Sequence, residues 1–255
     1  MVEIRNLTAG YGGEPVLQGL DLTFPAGQLT VIIGPNGCGK STLLRSLIGL
    51  TPKVDGSITA DASDLRRISS AELAQTIAYL PQNRRVPDLT AGQLVLHGRF
   101  PYLRYPRHYR QIDRELARTA MAQLGISHLE DIPLPRLSGG TQQKCYIAMA
   151  LCQDSPVILM DEPLSFLDIS HQLDLMALVK DLSSRGKTMV LVLHDLSLAL
   201  QWADRLVLMD QGRIRQTGTP EELVCGGALE QVFGVEIHRW ESPRGTQYSF
   251  CRKEG

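Results

Sequence analysis

Apolar residues in this chain occur in short blocks whose spacing alternates between that of a strand and that of a helix. Largely apolar runs at residues 29–33, 157–160 and 188–193 are typical of strands that are buried on both faces. The first run is followed by aliphatic residues at helical spacing over 40–50, and the second by an amphipathic pattern over 169–184. Strands that alternate with helices in this way predict an α/β fold built on a doubly wound parallel sheet.

Shorter segments extend the pattern at both ends. Strand-like segments at 2–7 and 16–24 precede the first buried run and are separated by turn-forming residues. Downstream, the sequence predicts a helix over 196–202, a strand over 206–209 and a strand with a turn over 213–216.

The middle of the chain differs from both halves. Between about residues 90 and 153 the pattern is almost wholly helical, which predicts an inserted helical subdomain rather than a separate domain. The tail, 228–255, holds two strand-like pieces, 235–240 and 247–251, around a turn at 242–245. We therefore expect a single domain over 1–255, in which 1–89 and 154–227 form the core with a β subdomain, 90–153 the helical subdomain, and 228–255 a C-terminal tail.

Composition narrows the function without naming it. The 255 residues are 43% hydrophobic and carry a formal net charge of −1, so the chain can bury a core but has no global electrostatic footprint for nucleic acid or anionic lipid. No apolar run approaches the roughly 20 residues that span a bilayer, and no targeting segment is evident. We therefore expect a cytosolic protein. Its five cysteines are odd in number and lack CxxC pairing, so we interpret them as reduced thiols.

A glycine-rich loop carries the clearest chemistry. Residues 34–41, GPNGCGKS, fit the pattern G-x-x-x-x-G-K-[ST] between a buried strand and a helix. Its backbone N–H groups can converge on phosphate, while Lys40 reaches the β- and γ-phosphates and Ser41 supplies a hydroxyl to Mg²⁺. A turn that only closes a strand–helix unit is disfavoured, because lysine and hydroxyl are both in register. The predicted ATP-binding residues of the loop are Gly34, Pro35, Asn36, Gly37, Cys38, Gly39, Lys40, Ser41 and Thr42.

Cys38 lies inside this loop and has two interpretations. A neighbouring lysine and a helix N-terminus could favour its thiolate. The simpler interpretation, a small residue that fits the loop, is preferred.

Two carboxylates follow the second buried run. Asp161 and Glu162 stand at the carboxyl end of an apolar strand, the edge where parallel sheets gather their ligands. With a phosphate loop upstream, Asp161 is expected to hold Mg²⁺ and Glu162 to polarise the attacking water as a general base. The alternative is that both acids only cap the next helix.

The sequence LSGG at 137–140 separates one family from other phosphate-loop proteins. Together with the loop and the acidic pair, it makes the chain resemble the ATP-binding-cassette (ABC) ATPases. The resemblance implies that Ser138, Gly139 and Gly140 bind the γ-phosphate of an ATP held by the opposite subunit. It also implies an α/β fold with a phosphate-loop (RecA-like) core, an N-terminal antiparallel β subdomain and an inserted α-helical subdomain that carries this signature. By composition alone, Ser-Gly-Gly could equally be a helix cap.

The resemblance extends to further positions in the family's order. It implies that Gln82 senses Mg²⁺ and couples to a membrane partner, that Asp168 lies in a loop crossing the dimer interface, that His194 contacts the γ-phosphate and that Tyr11 stacks on adenine. Singly, each is more simply explained as a structural residue. The implied catalytic set is Lys40, Gln82, Glu162 and His194, and the implied Mg²⁺ ligands are Ser41, Gln82 and Asp161.

One position departs from the family's pattern. The usual fifth residue of the signature, Gln, is Thr141 in this chain. We expect only a quantitative effect, because the phosphate contacts come from Ser138 and the glycines.

Residues 97–107 interleave arginines with aromatic residues. Three interpretations compete: a solvated basic face, a nucleic-acid platform and a docking surface for a permease. Segments 98–101, 165–172 and 232–235 look like the importer subfamily that takes up iron–siderophore complexes, haem and cobalamin. Docking is therefore preferred, and no nucleic-acid partner is expected.

The subfamily resemblance implies a complete transporter complex. A homodimer of ATPase subunits would lie at the cytoplasmic face of the cell (inner) membrane, beneath two integral-membrane permease subunits, while an extracytoplasmic protein delivers the ligand. With MgATP as its fuel, this chain is expected to drive uptake of an iron–siderophore complex. Alternatives are haem, cobalamin or another metal chelate, another class of ABC transporter, or a soluble nucleic-acid-associated ATPase. The last is disfavoured because the chain has neither a second cassette nor a long coiled coil.

Overall fold

The structure is a computed structural model that describes residues 1–82, 85–242 and 245–252. It separates into two compact units: unit one comprises Met1–Arg67 and Thr188–Gly255, and unit two Ile68–Lys187. The division expected from the sequence, with boundaries near 90 and 153, stays a prediction. Of the turn predicted at 242–245, Pro243 and Arg244 lie outside the described residues.

The described strands and helices are as follows. The strands are β1 (Val2–Gly10), β2 (Leu17–Phe24), β3 (Leu29–Ile33), β4 (Lys53–Ala60), β5 (Ser63–Asp64), β6 (Ile77–Leu80), β7 (Val157–Asp161), β8 (Thr188–Val192), β9 (Arg205–Asp210), β10 (Arg213–Gly218), β11 (Val235–Ser242) and β12 (Gly245–Arg252). The helices are α1 (Lys40–Leu47), α2 (Ser70–Thr76), α3 (Ala91–His97), α4 (Gln111–Gln123), α5 (Gly139–Cys152), α6 (Ile169–Ser184), α7 (Leu196–Trp202), α8 (Pro220–Cys225) and α9 (Ala228–Phe233).

Unit one contains an antiparallel sheet in the order β2-β1-β4-β5. Val2, Ile4 and Leu7 of β1 are buried, whereas intervening residues are partly or fully exposed, as expected of a sheet with one covered face. This confirms the antiparallel β subdomain that the family resemblance implies.

A second sheet of unit one carries the phosphate loop. β3 pairs in parallel with β8 on one side and β9 on the other, and β10 adds an antiparallel strand next to β9. Every residue of β3 and β8 is buried, and each large aliphatic side chain buried in this way contributes about 1.5–3 kcal/mol. The parallel sheet predicted from the apolar runs is therefore confirmed.

Unit two combines a parallel strand pair with a helical layer. β6 and β7 run parallel in continuous register, from Ile77 opposite Val157 to Leu80 opposite Met160. Between them in sequence, α3, α4 and α5 pack on one another, which confirms the helical character of the middle segment.

The structure also contains elements that the apolar pattern did not reveal. The strand β4 includes Asp55-Gly56, which locally favours a turn. Long-range pairing with β1 overrides this preference, and the register shifts between Arg5 and Thr8. The tail contains both predicted strands, paired as a hairpin, and begins with the short helix α9.

Candidate functional site

The phosphate loop connects β3 to α1 in unit one. A side chain at Gly34, where φ is 153°, would collide with the carbonyl oxygen of Met209 and approach Cys38 Sγ to 2.8 Å. Only glycine fits this close approach of two backbone segments. At the other end of the loop, α1 begins at Lys40, and its N-cap residue, Gly39, has no side chain that could bond the first N–H groups of the helix. A helix N-terminus of this kind offers backbone N–H groups to an anion.

Lys40 is folded back over the loop. Its Nζ donates to the carbonyl oxygens of Gly34 at 2.8 Å and Pro35 at 2.9 Å, and the side chain is buried. The loop therefore holds a positive charge among its own backbone groups, where a phosphate would meet it.

Cys38 is a packing residue rather than a reactive thiol. Burial raises the pKa of its thiol, and the opposing charge of Lys40 does not offset this. The interpretation that its surroundings favour a thiolate is therefore wrong. Cys145 and Cys152 are also buried, with pKa values raised by burial to about 11 and about 12, while Cys225 and Cys251 are exposed.

Two further predicted residues lie in unit one. His194 is exposed and follows Leu193, whose N–H donates to the Ile32 carbonyl at 3.2 Å. Since β3 and β8 are parallel neighbours, His194 and the phosphate loop both follow the carboxyl ends of their strands at the same edge of this sheet.

Tyr11 lies in unit one as well. Burial alone would raise the pKa of Tyr11, but hydrogen bonds with Thr42 and Arg45 and the charge of Arg45 lower it. The ring of Tyr11 is half exposed beside the start of α1.

The acidic pair lies at the end of β7 in unit two. Asp161 is fully buried, and the Tyr79 hydroxyl lies 3.4 Å from its Oδ2. Glu162 has a φ of 53°, a left-handed conformation that costs a non-glycine residue about 1–3 kcal/mol unless its surroundings hold it. Gln82 Nε2 donates to Glu162 Oε2 at 2.6 Å. The structure therefore brings together two residues that lie 80 positions apart in the sequence.

The signature residues form the start of α5. Ser138 caps the helix and accepts a hydrogen bond from the Thr141 N–H at 3.3 Å. A side chain at Gly140 would lie 2.9 Å from the carbonyl oxygen of Phe166, so glycine is required for this packing. Thr141 has a contact that the sequence did not reveal: its hydroxyl lies 2.9 Å from Ser138 Oγ.

Asp168 caps the neighbouring helix α6. Its carboxylate accepts from the backbone N–H of His171 at 2.9 Å, and the His171 ring nitrogen Nδ1 lies 2.8 Å away. These contacts lower the pKa of Asp168, the backbone hydrogen bond most strongly. Next to it, the apolar side chains of Phe166 and Ile169 are exposed by 81% and 76%.

The arginine–aromatic segment divides into a buried and an exposed part. Arg99 is buried: its Nε pairs with Asp113 Oδ1 at 3.2 Å and its Nη1 donates to the carbonyls of Cys152 and Gln153. The expectation that Arg99 belongs to a surface is therefore wrong. By contrast, Phe100 stacks on His97 and lies under the Arg107 guanidinium at 4.7 Å, with 40% of its own surface exposed.

An open cavity of about 710 Å³ adjoins the exposed part of this segment. Basic and aromatic residues dominate its walls, and Tyr105 is 96% exposed. Its lining residues include Tyr102, Arg104, Tyr105, His108 and Arg110.

Comparison with known proteins decides the family. The sequence profile of the family described as ABC transporter matches residues 17–165. The chain belongs to the ABC transporter family. This ABC ATPase is 41% identical over 241 residues to the ferric enterobactin transport ATP-binding protein FepC of Escherichia coli (strain K12), which covers 94% of this chain and 89% of FepC.

Solved structures agree with the fold of the ABC ATPase. One, described as a metal-chelate-type ABC transporter in an inward-facing conformation, matches with a TM-score of 0.83 and 26% identity over 98% of this chain and 96% of its own. The dimeric structure of MJ0796, a bacterial ABC transporter cassette, matches with a TM-score of 0.76 and 27% identity over 86% of this chain and 99% of its own. In the part of the ABC ATPase that the structure describes, no helix is long and apolar enough to cross a membrane.

The ligand set expected for Mg²⁺ fits that ion chemically. Ser41, Gln82 and Asp161 offer hydroxyl, amide and carboxylate oxygens, which are the hard donors that Mg²⁺ prefers. Among the described residues, no cluster of three or more His, Cys, Asp or Glu side chains forms a self-sufficient metal site. A small number of protein ligands completed by phosphate oxygens is typical of Mg²⁺ in nucleotide enzymes.

Proposed function

We propose that this ABC ATPase drives the uptake of an iron–siderophore complex through separate permease subunits. The contact that carries the catalytic part is the hydrogen bond from Gln82 to Glu162, because it orients a carboxylate beside a buried aspartate. The cargo is supported by the 41% identity to a ferric enterobactin transport protein. Haem and cobalamin remain the alternative cargoes.

In the proposed reaction, the predicted residues bind ATP, orient the attacking water and hold Mg²⁺. The loop N–H groups and Lys40 bind the phosphates of ATP, and the Tyr11 ring packs on adenine. Glu162 orients the attacking water and accepts its proton, while His194 contacts the γ-phosphate. Gln82 keeps the Glu162 carboxylate in place. Bound Mg²⁺, held by Ser41, Gln82 and Asp161, would supply charge neutralisation for the phosphates.

A second copy of the chain completes the proposed site. Ser138, Gly139 and Gly140 of that copy would bind the γ-phosphate at the N-terminus of α5, and the loop at Asp168 would cross the interface. The exposed Phe166 and Ile169 support this assignment, because they leave an apolar surface next to Asp168 and the signature. MJ0796, a relative of similar fold, has a dimeric structure.

The membrane partner is proposed to dock on the exposed arginine–aromatic surface of unit two. Phe100 and Arg107 offer aromatic and cationic contacts, and Tyr105 lines the open cavity. Such residues are enriched in protein interfaces. The ATPase would then lie peripherally at the cytoplasmic face of the membrane, while an extracytoplasmic protein delivers the ligand to the permease.

Transport of labelled ferric siderophore by cells that carry Glu162→Gln tests the proposal. We expect ATP binding to persist and uptake to cease, while the control Glu236→Gln, which alters an exposed carboxylate on β11, keeps wild-type uptake. Undiminished uptake with Glu162→Gln would show that its catalytic role is wrong. Wild-type uptake of labelled haem without uptake of ferric siderophore would instead overturn only the cargo.

Ser138→Arg tests the composite site. A bulky cation at the start of α5 should block closure of the dimer, leave ATP binding by the monomer intact and abolish turnover. Ser127→Arg, at another exposed serine of unit two, is the matched control. Turnover that survives Ser138→Arg would contradict the composite-site model.

A further inference from the structure

One face of α5 reaches toward both loops that carry the proposed catalytic pair. Gln143 and Tyr146 lie three positions apart, so they share a face of the helix, and both are buried. Gln143 Nε2 donates to the carbonyl oxygen of Pro163 at 2.6 Å, directly after Glu162. The Tyr146 hydroxyl donates to the carbonyl oxygen of Arg85 at 2.8 Å, three residues after Gln82.

The turn after Glu162 needs contacts of this kind. The left-handed φ of Glu162 persists only where surrounding contacts hold it. Within the turn, the Ser165 N–H lies 3.3 Å from the Glu162 carbonyl, a long hydrogen bond that gives modest support. The shorter bond from Gln143, in a buried environment, is the stronger constraint on this turn.

A comparable contact lies three residues after Gln82, at Arg85. β6 ends at Leu80, so the backbone at Gln82 has already left its strand pairing with β7. The Tyr146 hydroxyl holds the backbone at Arg85 through its carbonyl oxygen. The Gln82–Glu162 hydrogen bond at 2.6 Å therefore connects two segments, each of which contacts α5 within three residues of this bond.

We infer that Gln143 and Tyr146 are positioning residues that hold the Glu162 turn and the Gln82 loop in register with each other. The inference rests on the proposed function, in which Glu162 is the general base. It adds a consequence for regulation, since Ser138 caps the same helix. Any displacement of α5 when its N-terminus engages a nucleotide would reach both anchors at once, because a helix moves as a rigid element.

A simpler interpretation is that both side chains only stabilise the fold. Gln153 provides the comparison, because it lies at the other end of α5 and its Nε2 also donates to backbone carbonyls, those of Ala74 and Ile77. Gln153 has the same chemistry as Gln143 but connects the helix to α2 and to the first residue of β6, at the opposite end of that strand from Gln82. A purely structural role predicts similar consequences for the loss of either donor.

The experiment measures steady-state ATP hydrolysis and equilibrium ATP binding for Gln143→Met, Tyr146→Phe and Gln153→Met. Methionine keeps the length of glutamine without its donor, and phenylalanine removes only the hydroxyl. For a lost buried hydrogen bond that orients a catalytic group, we expect kcat to fall about tenfold in Gln143→Met and about three- to tenfold in Tyr146→Phe. ATP affinity and KM should remain near wild type, and Gln153→Met should lower the melting temperature while kcat is unchanged.

Repeating the measurement in the Glu162→Gln variant separates this inference from the proposed function. If Gln143 acts through Glu162, adding Gln143→Met to Glu162→Gln should not lower the residual rate further. Full turnover by Glu162→Gln alone would overturn the proposed catalytic role. An inactive Glu162→Gln, combined with wild-type kcat in both Gln143→Met and Tyr146→Phe, would overturn only the positioning role. Equal loss of kcat in Gln153→Met would also overturn it.

Discussion

The phosphate loop and the turn that carries Glu162 are built by different means. In the loop, Lys40 contacts the carbonyls of Gly34 and Pro35, so neighbouring residues organise one another. At the turn, Glu162 receives its hydrogen bond from Gln82, and the next carbonyl accepts one from Gln143. The lysine contacts of the loop are local, whereas the turn combines three segments that are distant in sequence. Local motifs should tolerate changes elsewhere in the chain better than assembled ones do.

The largest effects on ATP binding and turnover are expected for Lys40 in the loop and Glu162 in the turn. Lys40→Met should abolish ATP binding and turnover together, because the loop loses its positive charge. Glu162→Gln should preserve binding and lower kcat by about 10²–10⁴-fold, the range for loss of a general base. Equilibrium nucleotide binding and single-turnover hydrolysis measure the two outcomes. Loss of ATP binding in Glu162→Gln would show that the two functions are not separable.

A second contrast concerns a buried ion pair that joins distant segments of unit two. Arg99→Met leaves the fully buried Asp113 without its buried partner, and we expect the free energy of unfolding to fall by about 3–5 kcal/mol. Arg110 also pairs with Asp113 but is 63% exposed, so Arg110→Met should lower the free energy of unfolding much less than Arg99→Met does. Urea denaturation measures both. If both substitutions lower the free energy of unfolding equally, burial of the arginine does not determine how strongly it stabilises the fold through Asp113.

The same ion pair predicts a pH dependence. Burial alone would raise the pKa of Asp113, but hydrogen bonds from Arg110 and Arg99 outweigh it and lower the pKa. The carboxylate therefore stabilises the fold above the unfolded-state pKa of about 3.9, and this contribution is lost as pH falls through the lower folded-state pKa. The stability difference between wild type and Asp113→Asn should be constant above pH of about 5 and shrink below about 4. A difference that does not change in acid would contradict the assignment.

The smallest effect is expected inside the phosphate loop. Because Cys38 is a buried packing residue, Cys38→Ala should lower the free energy of unfolding by about 1 kcal/mol, near the average for point substitutions. Alkylation by iodoacetamide in the native protein should modify the exposed Cys225 and Cys251 before Cys38. Peptide mass analysis over time measures the order. Early modification of Cys38 would show that the loop opens readily.

Short sequence patterns were sufficient to predict the elements whose structure depends mainly on residues adjacent in the chain. The apolar runs predicted β3, β7 and β8, and the spacing of glycine, lysine and serine predicted the loop. The pattern missed β4, because Asp55-Gly56 indicates a turn until β1 provides a pairing partner. It also placed Arg99 on a surface, since an arginine in a basic and aromatic segment gives no sign of a buried Asp113 fourteen positions away.

By itself, the sequence determined the family, the phosphate loop and the identity of the residues proposed to act on ATP, because each is encoded in a short run of residues with fixed spacing. Only the tertiary structure decided that Gln82 contacts Glu162 and that Gln143 and Tyr146 donate to the carbonyls of Pro163 and Arg85. These contacts join segments that are 20 to 80 residues apart. Their formation depends on how strands and helices pack, which no local pattern records.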